Sequence, residues 1–251
     1  MAQNVIRMAD MKKELLQRTI NSIEFFLNPK ISSNSELERQ IRDHLINGDL
    51  VVIRDALQEG FAERMFACLD RFSDWRVYEG YEEHFHYHHH NIYDDKLFPP
   101  DLLWCREIVR SDATKNFIQR LSQRECAGET IFSASLYLPG DHSLPHDDFL
   151  GHRDEHRQVA FVWHLTKHWQ SAWGGEFFWC RKNRYVSPSF NTLLLFRVQP
   201  TIMHFVTNVS PYAQGKRLAI SGWWTGKMES EHDETTADDQ RNEEKRLVEI
   251  I

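Results

Sequence analysis

From Ile131 to Trp224 the chain is built of short apolar or alternating runs separated by Gly, Pro, Asn and Asp. That texture allows little room for long helices and predicts many short strands. Eight candidates follow: Phe132 to Leu138, Leu144 to Phe149, Gln158 to Thr166, Glu176 to Cys180, Arg184 to Val186, Thr192 to Val198, Met203 to Asn208 and Arg217 to Trp224. Eight short strands in about 95 residues predict a double-sheet jelly roll, a double-stranded β-helix of the cupin type that buries a ligand between its sheets.

The preceding residues read mainly as helix. Met11, Leu15, Leu16, Ile20, Ile23 and Leu27 recur at helical spacing and stop at Asn28-Pro29, where proline disfavours a helical residue before it. Ser35 and Glu38 have the spacing of a capping box, Leu37, Ile41 and Leu45 supply an apolar face, and Gly48 is placed to end that helix. Leu50 to Ile53 predicts a short strand, Phe61 to Phe72 a third helix, and Asp101 to Leu121 a fourth. With 251 residues, 41% of them hydrophobic, the expectation is one catalytic-sized domain over 1–226. Residues 1–125 are its helical support, 126–226 its β core, and 227–251 an acidic tail.

Charge and cysteine usage exclude several classes. The formal net charge is −7, with nine acids against four bases after residue 226, so the body is nearly neutral and no basic patch suits a nucleic-acid backbone. No apolar run has the length of a membrane span, and Arg7, Asp10, Lys12 and Glu14 interrupt the amino terminus where a signal peptide needs an apolar stretch. Cys68, Cys105, Cys126 and Cys180 have no paired spacing and read as reduced thiols. The expected location is cytoplasmic, with no nucleic-acid or membrane partner.

Within the β region, His146 and Asp148 are two residues apart and so point to one face of a strand, whereas Asp147 points to the other. His204, on the seventh candidate strand, can complete a set of two imidazoles and one carboxylate, the facial arrangement of non-haem Fe(II) oxygenases. A His-x-Asp pair alone is common by chance. Arg217 strengthens the pattern: facing a barrel interior, a guanidinium requires an anion, and its planar fork suits a carboxylate. An arginine at a strand start also occurs as an ordinary surface residue. Ser221, four residues on along the same face, can add a hydroxyl.

The ordered pieces SLYLPG, LPHDDF, VAFVWHLTKHW, GGEFFW, NTLLLF, MHFV and KRLAISGWW, spanning about Phe132 to Gly226, resemble the Fe(II)- and 2-oxoglutarate-dependent oxygenases of the prolyl-hydroxylase type. HDD followed by GKRLAISGWWTG looks especially like the branch that hydroxylates a prolyl residue of a ribosomal protein. The resemblance implies that His146, Asp148 and His204 bind iron, that Arg217 holds the distal carboxylate of 2-oxoglutarate, and that Tyr137 lines the co-substrate pocket. It places His164 where family members usually carry a tyrosine that contacts 2-oxoglutarate, and Trp223 near the iron. Eukaryotic ribosome-directed members carry a second, degenerate β domain, whereas a short acidic tail follows Gly226 here. An aspartate at position 148 fills the ligand position that related halogenases leave open for chloride, so hydroxylation is the implied outcome.

Five of the seven residues from His84 to His90 are histidine, alternating partly with Phe85 and Tyr87. Alternation predicts a strand with an imidazole-lined face. A substrate-contacting strand, a solvated loop and a second metal site are the readings. In the resembled enzymes this region folds over the mouth of the site, so His86, His88 and His90 join Trp223 as candidate substrate contacts. Gly174-Gly175 has no helix after it and reads as a turn, not a phosphate cradle.

The sequence therefore predicts an enzyme using Fe(II), 2-oxoglutarate and O2 to hydroxylate an unactivated C–H bond, first of a prolyl residue in a protein or peptide. The alternatives are hydroxylation of a free amino acid or another small metabolite and, last, a non-catalytic cupin-like module that holds a small anion.

Overall fold

The structure is a computed structural model and describes residues 22–82, 85–149, 156–227 and 249–250. In chain order the helices are α1 (Ile23–Phe26), α2 (Pro29–Ser32), α3 (Ser35–Ile46), α4 (Glu59–Arg71), α5 (Pro100–Arg110) and α6 (Asp112–Ser122). The strands are β1 (Val51–Ile53), β2 (Arg76–Glu82), β3 (Phe85–Ile92), β4 (Thr130–Tyr137), β5 (His142–His146), β6 (His156–His164), β7 (Phe177–Trp179), β8 (Arg184–Val186), β9 (Thr192–Arg197), β10 (His204–Val206), β11 (Arg217–Gly226) and β12 (Glu249–Ile250). All eight strands expected after Ile131 form, with ends shifted by at most three residues.

They form one ladder in the order β12-β1-β9-β6-β11-β4-β3-β5-β10-β7-β8, with β2 hydrogen-bonded to β3 alone. The ladder curls on itself: β11 and β10 are four steps apart in it, yet their side chains line the same cavity. The two sheets of the expected jelly roll are thus two arms of one continuous sheet, joined where β3 passes from β4 to β5.

Alternation along the strands sorts residues between two faces. Leu136 and Ala134 of β4, Trp163 and Phe161 of β6, Ile220 and Trp224 of β11 and Leu195 of β9 pack outward on Met65, Leu69, Leu102, Ile108 and Phe117 of the helices. Ala160, Leu194, Phe196, Phe177 and Trp179 face inward as a smaller apolar cluster. Helices and sheet therefore share the larger core. Between them lies a mainly apolar void of about 70 Å³ bordered by residues such as Leu27, Cys105 and Phe161.

Local departures from the sequence reading have local causes. The cap of α3 is Asn34, whose side chain accepts from the amide of Leu37, so the Ser35 and Glu38 capping box is replaced by a cap one residue earlier. The single helix expected over 101–121 is two, because Ser111 turns extended and caps α6 by accepting from the Thr114 amide. Strand β2 was not foreseen; its sequence, RVYEGYE, carries Val77 and Tyr81 exposed and has no apolar face to read. Most of the helix expected over 11–27, His84, and the acidic stretch 228–248 lie outside the described residues. Among the described residues no helix is long and apolar enough to cross a membrane.

Candidate active site

Strand pairing assembles the centre. β5 and β10 run antiparallel with His146 directly opposite His204, and their rings lie 4.5 Å apart. Asp148 sits just beyond the end of β5, not within it, yet its carboxylate reaches the same point: Oδ2 is 3.5 Å from His204 Nε2 and Oδ1 4.0 Å from His146 Nε2. One ligand atom from each residue lies within 4.8 Å of the others, a spacing that can hold a metal ion. His146 Nδ1 is 2.8 Å from the Leu144 carbonyl, to which it donates, so its Nε2 lone pair is left for the centre.

The surroundings fit a metal. His204 is buried against Phe177 and Phe196, and loss of solvent pushes its pKa down to about 4, which keeps the ring neutral and able to ligate. Asp148 is buried, and besides the two histidines the cation beside it is Arg157, whose Nη1 is 3.6 Å from Oδ1. Arg157 in turn lies 3.9 Å over the ring of Trp223. Asp147 points elsewhere, accepting from the amides of Phe149 and Thr201.

The triad opens on a cavity of about 580 Å³. Its closed end holds Arg217, which is 2% exposed. Arg217 is opposite Tyr137 in the β11–β4 ladder, and its guanidinium lies 4.4 Å over the tyrosine ring. Its Nε donates to the carbonyl of Gly175 at 2.5 Å, and among the described residues it has no ion-pair partner. Burial lowers its pKa to about 10, so it remains a cation at neutral pH. A buried cation that faces a cavity and has no carboxylate paired with it is a site for an anion.

The other expected residues are distributed as follows. Tyr137, Ser221 and Trp223 line the cavity, Ser221 Oγ lying 3.3 Å from Ser133 Oγ and Trp223 Nε1 having no protein partner. His164 is fully buried on the inward face of β6, behind Ala219, and neither ring nitrogen has a protein partner. Burial, reinforced by Arg217, holds its pKa well below the usual imidazole value.

His86, His88 and His90 correct the sequence reading, because they project from the face of β3 opposite the cavity. There His88 and His90 each place Nδ1 2.9 Å from an oxygen of the buried Asp141, and His86 pairs with His142. The cavity face of β3 instead carries Tyr87, His89 and Asn91. Parity along one strand decides this, and the composition of the run does not reveal it. The glycine pair forms the turn its sequence predicts: both residues have positive φ, and the turn delivers the carbonyl that fixes Arg217. Arg157 carries no signal in the sequence that separates it from a surface arginine.

Residues 132–225 match the family model described as 2OG-Fe(II) oxygenase superfamily. A mouse prolyl 3-hydroxylase, OGFOD1, is 32% identical over 136 residues, covering 51% of this chain and 24% of the relative. A prolyl 3,4-dihydroxylase of Ostreococcus tauri is 27% identical over 143 residues, covering 51% and 27%. The chain thus spans about a quarter of the length of these relatives. In structure it is similar to a Pseudomonas putida prolyl-4-hydroxylase, with TM-score 0.56, 19% identity and coverage of 75% of this chain and 98% of that one. A Burkholderia pseudomallei oxidoreductase of the 2OG-Fe(II) oxygenase family gives TM-score 0.58 at 13% identity, covering 77% and 92%.

Proposed function

We propose that this chain, whose residues 132–225 match the 2OG-Fe(II) oxygenase family model, is such an oxygenase and hydroxylates a prolyl residue of a protein or peptide. The observation that carries the reading is the opening of the His146, Asp148 and His204 cluster onto the same cavity as a buried, ion-unpaired Arg217. The relatives described as prolyl hydroxylases support the substrate class.

In this reading His146 and His204 would hold Fe(II) through Nε2 and Asp148 through a carboxylate oxygen. With Fe(II) and 2-oxoglutarate bound, the metal would let O2 act as the oxidant: one of its oxygen atoms would enter the substrate C–H bond and the other would enter succinate, as 2-oxoglutarate is oxidised and loses CO2. The protein binds and orients. Arg217 would pair with the distal carboxylate, its guanidinium held in place by Gly175 and Tyr137; Ser221 lines the cavity four residues further along β11, and the buried His164 lies near enough to feel the Arg217 charge. Phe177 and Phe196 shield His204 from water. At the mouth, Tyr78, Tyr87 and Tyr93 on one side and Trp223 under Arg157 on the other offer flat apolar faces suited to a pyrrolidine ring. The core shared by helices and sheet supports one catalytic unit, and the four unpaired cysteines suit a reducing compartment such as the cytoplasm.

The test is turnover of labelled 2-oxoglutarate by the Fe(II)-loaded protein against a panel of prolyl peptides and free amino acids. The expected result is succinate release coupled to a gain of one oxygen on a prolyl peptide. Coupled oxidation of amino acids alone would reassign the substrate, and iron binding without turnover on any member would refute the enzyme.

A further inference from the structure

We infer that His89 is a neutral hydrogen-bond donor at the anion-binding end of the cavity, a co-substrate contact that also ties the β2–β3 hairpin to co-substrate binding. This rests on the reading that 2-oxoglutarate pairs with Arg217.

His89 is the histidine of its run whose ring enters the cavity. It stacks on Tyr137, with ring centroids 4.8 Å apart and planes 2° from parallel, and Tyr137 lies under the Arg217 guanidinium. Three planar groups in succession leave the imidazole little freedom to turn. Although His89 is only half-buried as a residue, its Nδ1 is sealed from solvent and has no protein partner. Nε2 lies 3.3 Å from Asn91 Nδ2, and with the Asn91 amide in this orientation Nε2 accepts and the one proton of the neutral ring is assigned to Nδ1. Burial, helped by the nearby Arg217 charge, pushes the ring's pKa down to about 3.

A neutral donor is the group this place calls for. A second cation would repel Arg217, and a carboxylate would neutralise it and displace the ligand, whereas an N–H adds a hydrogen bond to a bound anion and leaves the positive potential intact. The stacking geometry also reaches the mouth. Tyr78 of β2 lies 5.8 Å from the His89 ring and stacks on Tyr87 at 4.8 Å, and β2 joins the sheet through β3 alone. An anion that fixes His89 therefore steadies the aromatic wall of the mouth.

The experiment measures 2-oxoglutarate binding without turnover, by calorimetry on the Mn(II)-loaded protein, for wild type, His89→Phe, Asn91→Leu and Arg217→Lys. Phenylalanine keeps the stack and removes the donor. We expect His89→Phe to weaken 2-oxoglutarate about tenfold, about 1.4 kcal/mol, with Mn(II) affinity unchanged. In wild type, the ¹⁵N resonance of His89 Nδ1 should shift on adding 2-oxoglutarate and amide exchange across β2 and β3 should slow; both responses should vanish in the variant or for its hairpin. Should His89→Phe misfold, Asn91→Leu keeps the ring but frees its tautomer, and a weaker affinity with an altered ¹⁵N signature is expected. Affinity equal to wild type in His89→Phe, or in Asn91→Leu with unmoved ¹⁵N signals, while Arg217→Lys binds weakly, would reduce His89 to a stacking partner. Wild type that does not bind 2-oxoglutarate, or Arg217→Lys that binds it equally well, would overturn the co-substrate reading itself.

Discussion

Replacing Arg217 by lysine keeps a cation at the closed end of the cavity and removes what the arginine does with its shape. The Nε–H bond to Gly175 is lost, leaving that carbonyl without its donor, and the planar group over Tyr137 is replaced by a compact ammonium. The fork that would meet a carboxylate with two parallel donors is lost as well. A hydrogen bond to a charged group contributes about 1.5–3 kcal/mol, and more when the abandoned partner is buried. One such bond lost to the carboxylate predicts roughly 10- to 150-fold weaker 2-oxoglutarate binding, since each 1.4 kcal/mol is tenfold. Arg217 is not among the cluster of candidate metal ligands, so Fe(II) affinity should be unchanged. Titration of the Mn(II)-loaded variant with 2-oxoglutarate, alongside the 2-oxoglutarate dependence of succinate release, reads both quantities. An unaltered 2-oxoglutarate requirement would refute the pairing, and a parallel loss of metal would show that the two ends of the cavity are not independent.

Further outcomes follow from the same geometry. Alanine at His146 or at His204 should abolish stoichiometric Fe(II) binding while far-UV circular dichroism stays native; full iron content in either variant would reject the triad. Asp148→Gly should collapse hydroxylation, and near-normal product formation would hand the carboxylate role to another residue, against the backbone bonds that occupy Asp147. Removing both His88 and His90 strips two donors from the buried Asp141 and should cost about 2–4 kcal/mol in urea unfolding, with coupled turnover retained. Loss of coupling at unchanged stability would return these histidines to the substrate. The His89 ring titrates near 6.5 when unfolded and near 3 when folded, so between those values the unfolded chain binds more protons and stability must rise with pH. Metal-free protein should therefore lose stability as pH falls from 6.5 toward 3, less steeply in His89→Phe; equal slopes would show that the folded ring titrates normally.

Much of the architecture was legible in the chain. The eight strands after Ile131 announce themselves because each is an apolar run closed by Gly, Pro, Asn or Asp, and the turn residues act locally. His146, Asp148, His204 and Arg217 could be singled out because two residues at i and i+2 share a face and because charged groups in strands that face a core require a partner. What stayed hidden depends on contacts distant in sequence. β2 offers an exposed stretch with no consistent apolar face, whose strand form comes from its pairing with β3, and Ser111 breaks a continuous helical pattern through its own side chain.

The sequence by itself determined which residue types lie two apart, which runs can be strands, and that a candidate set of metal ligands and a cation lie in one β region. Only the tertiary structure decided which parity of β3 meets the cavity, setting His89 inside and His86, His88 and His90 against Asp141. It also decided that a glycine carbonyl holds Arg217 and that Asp148 serves the centre from beyond its strand. The physical reason is that a period of two fixes only the relative facing of neighbours, whereas the choice between faces is made when β3 docks between β4 and β5 and the sheet curls around its cavity.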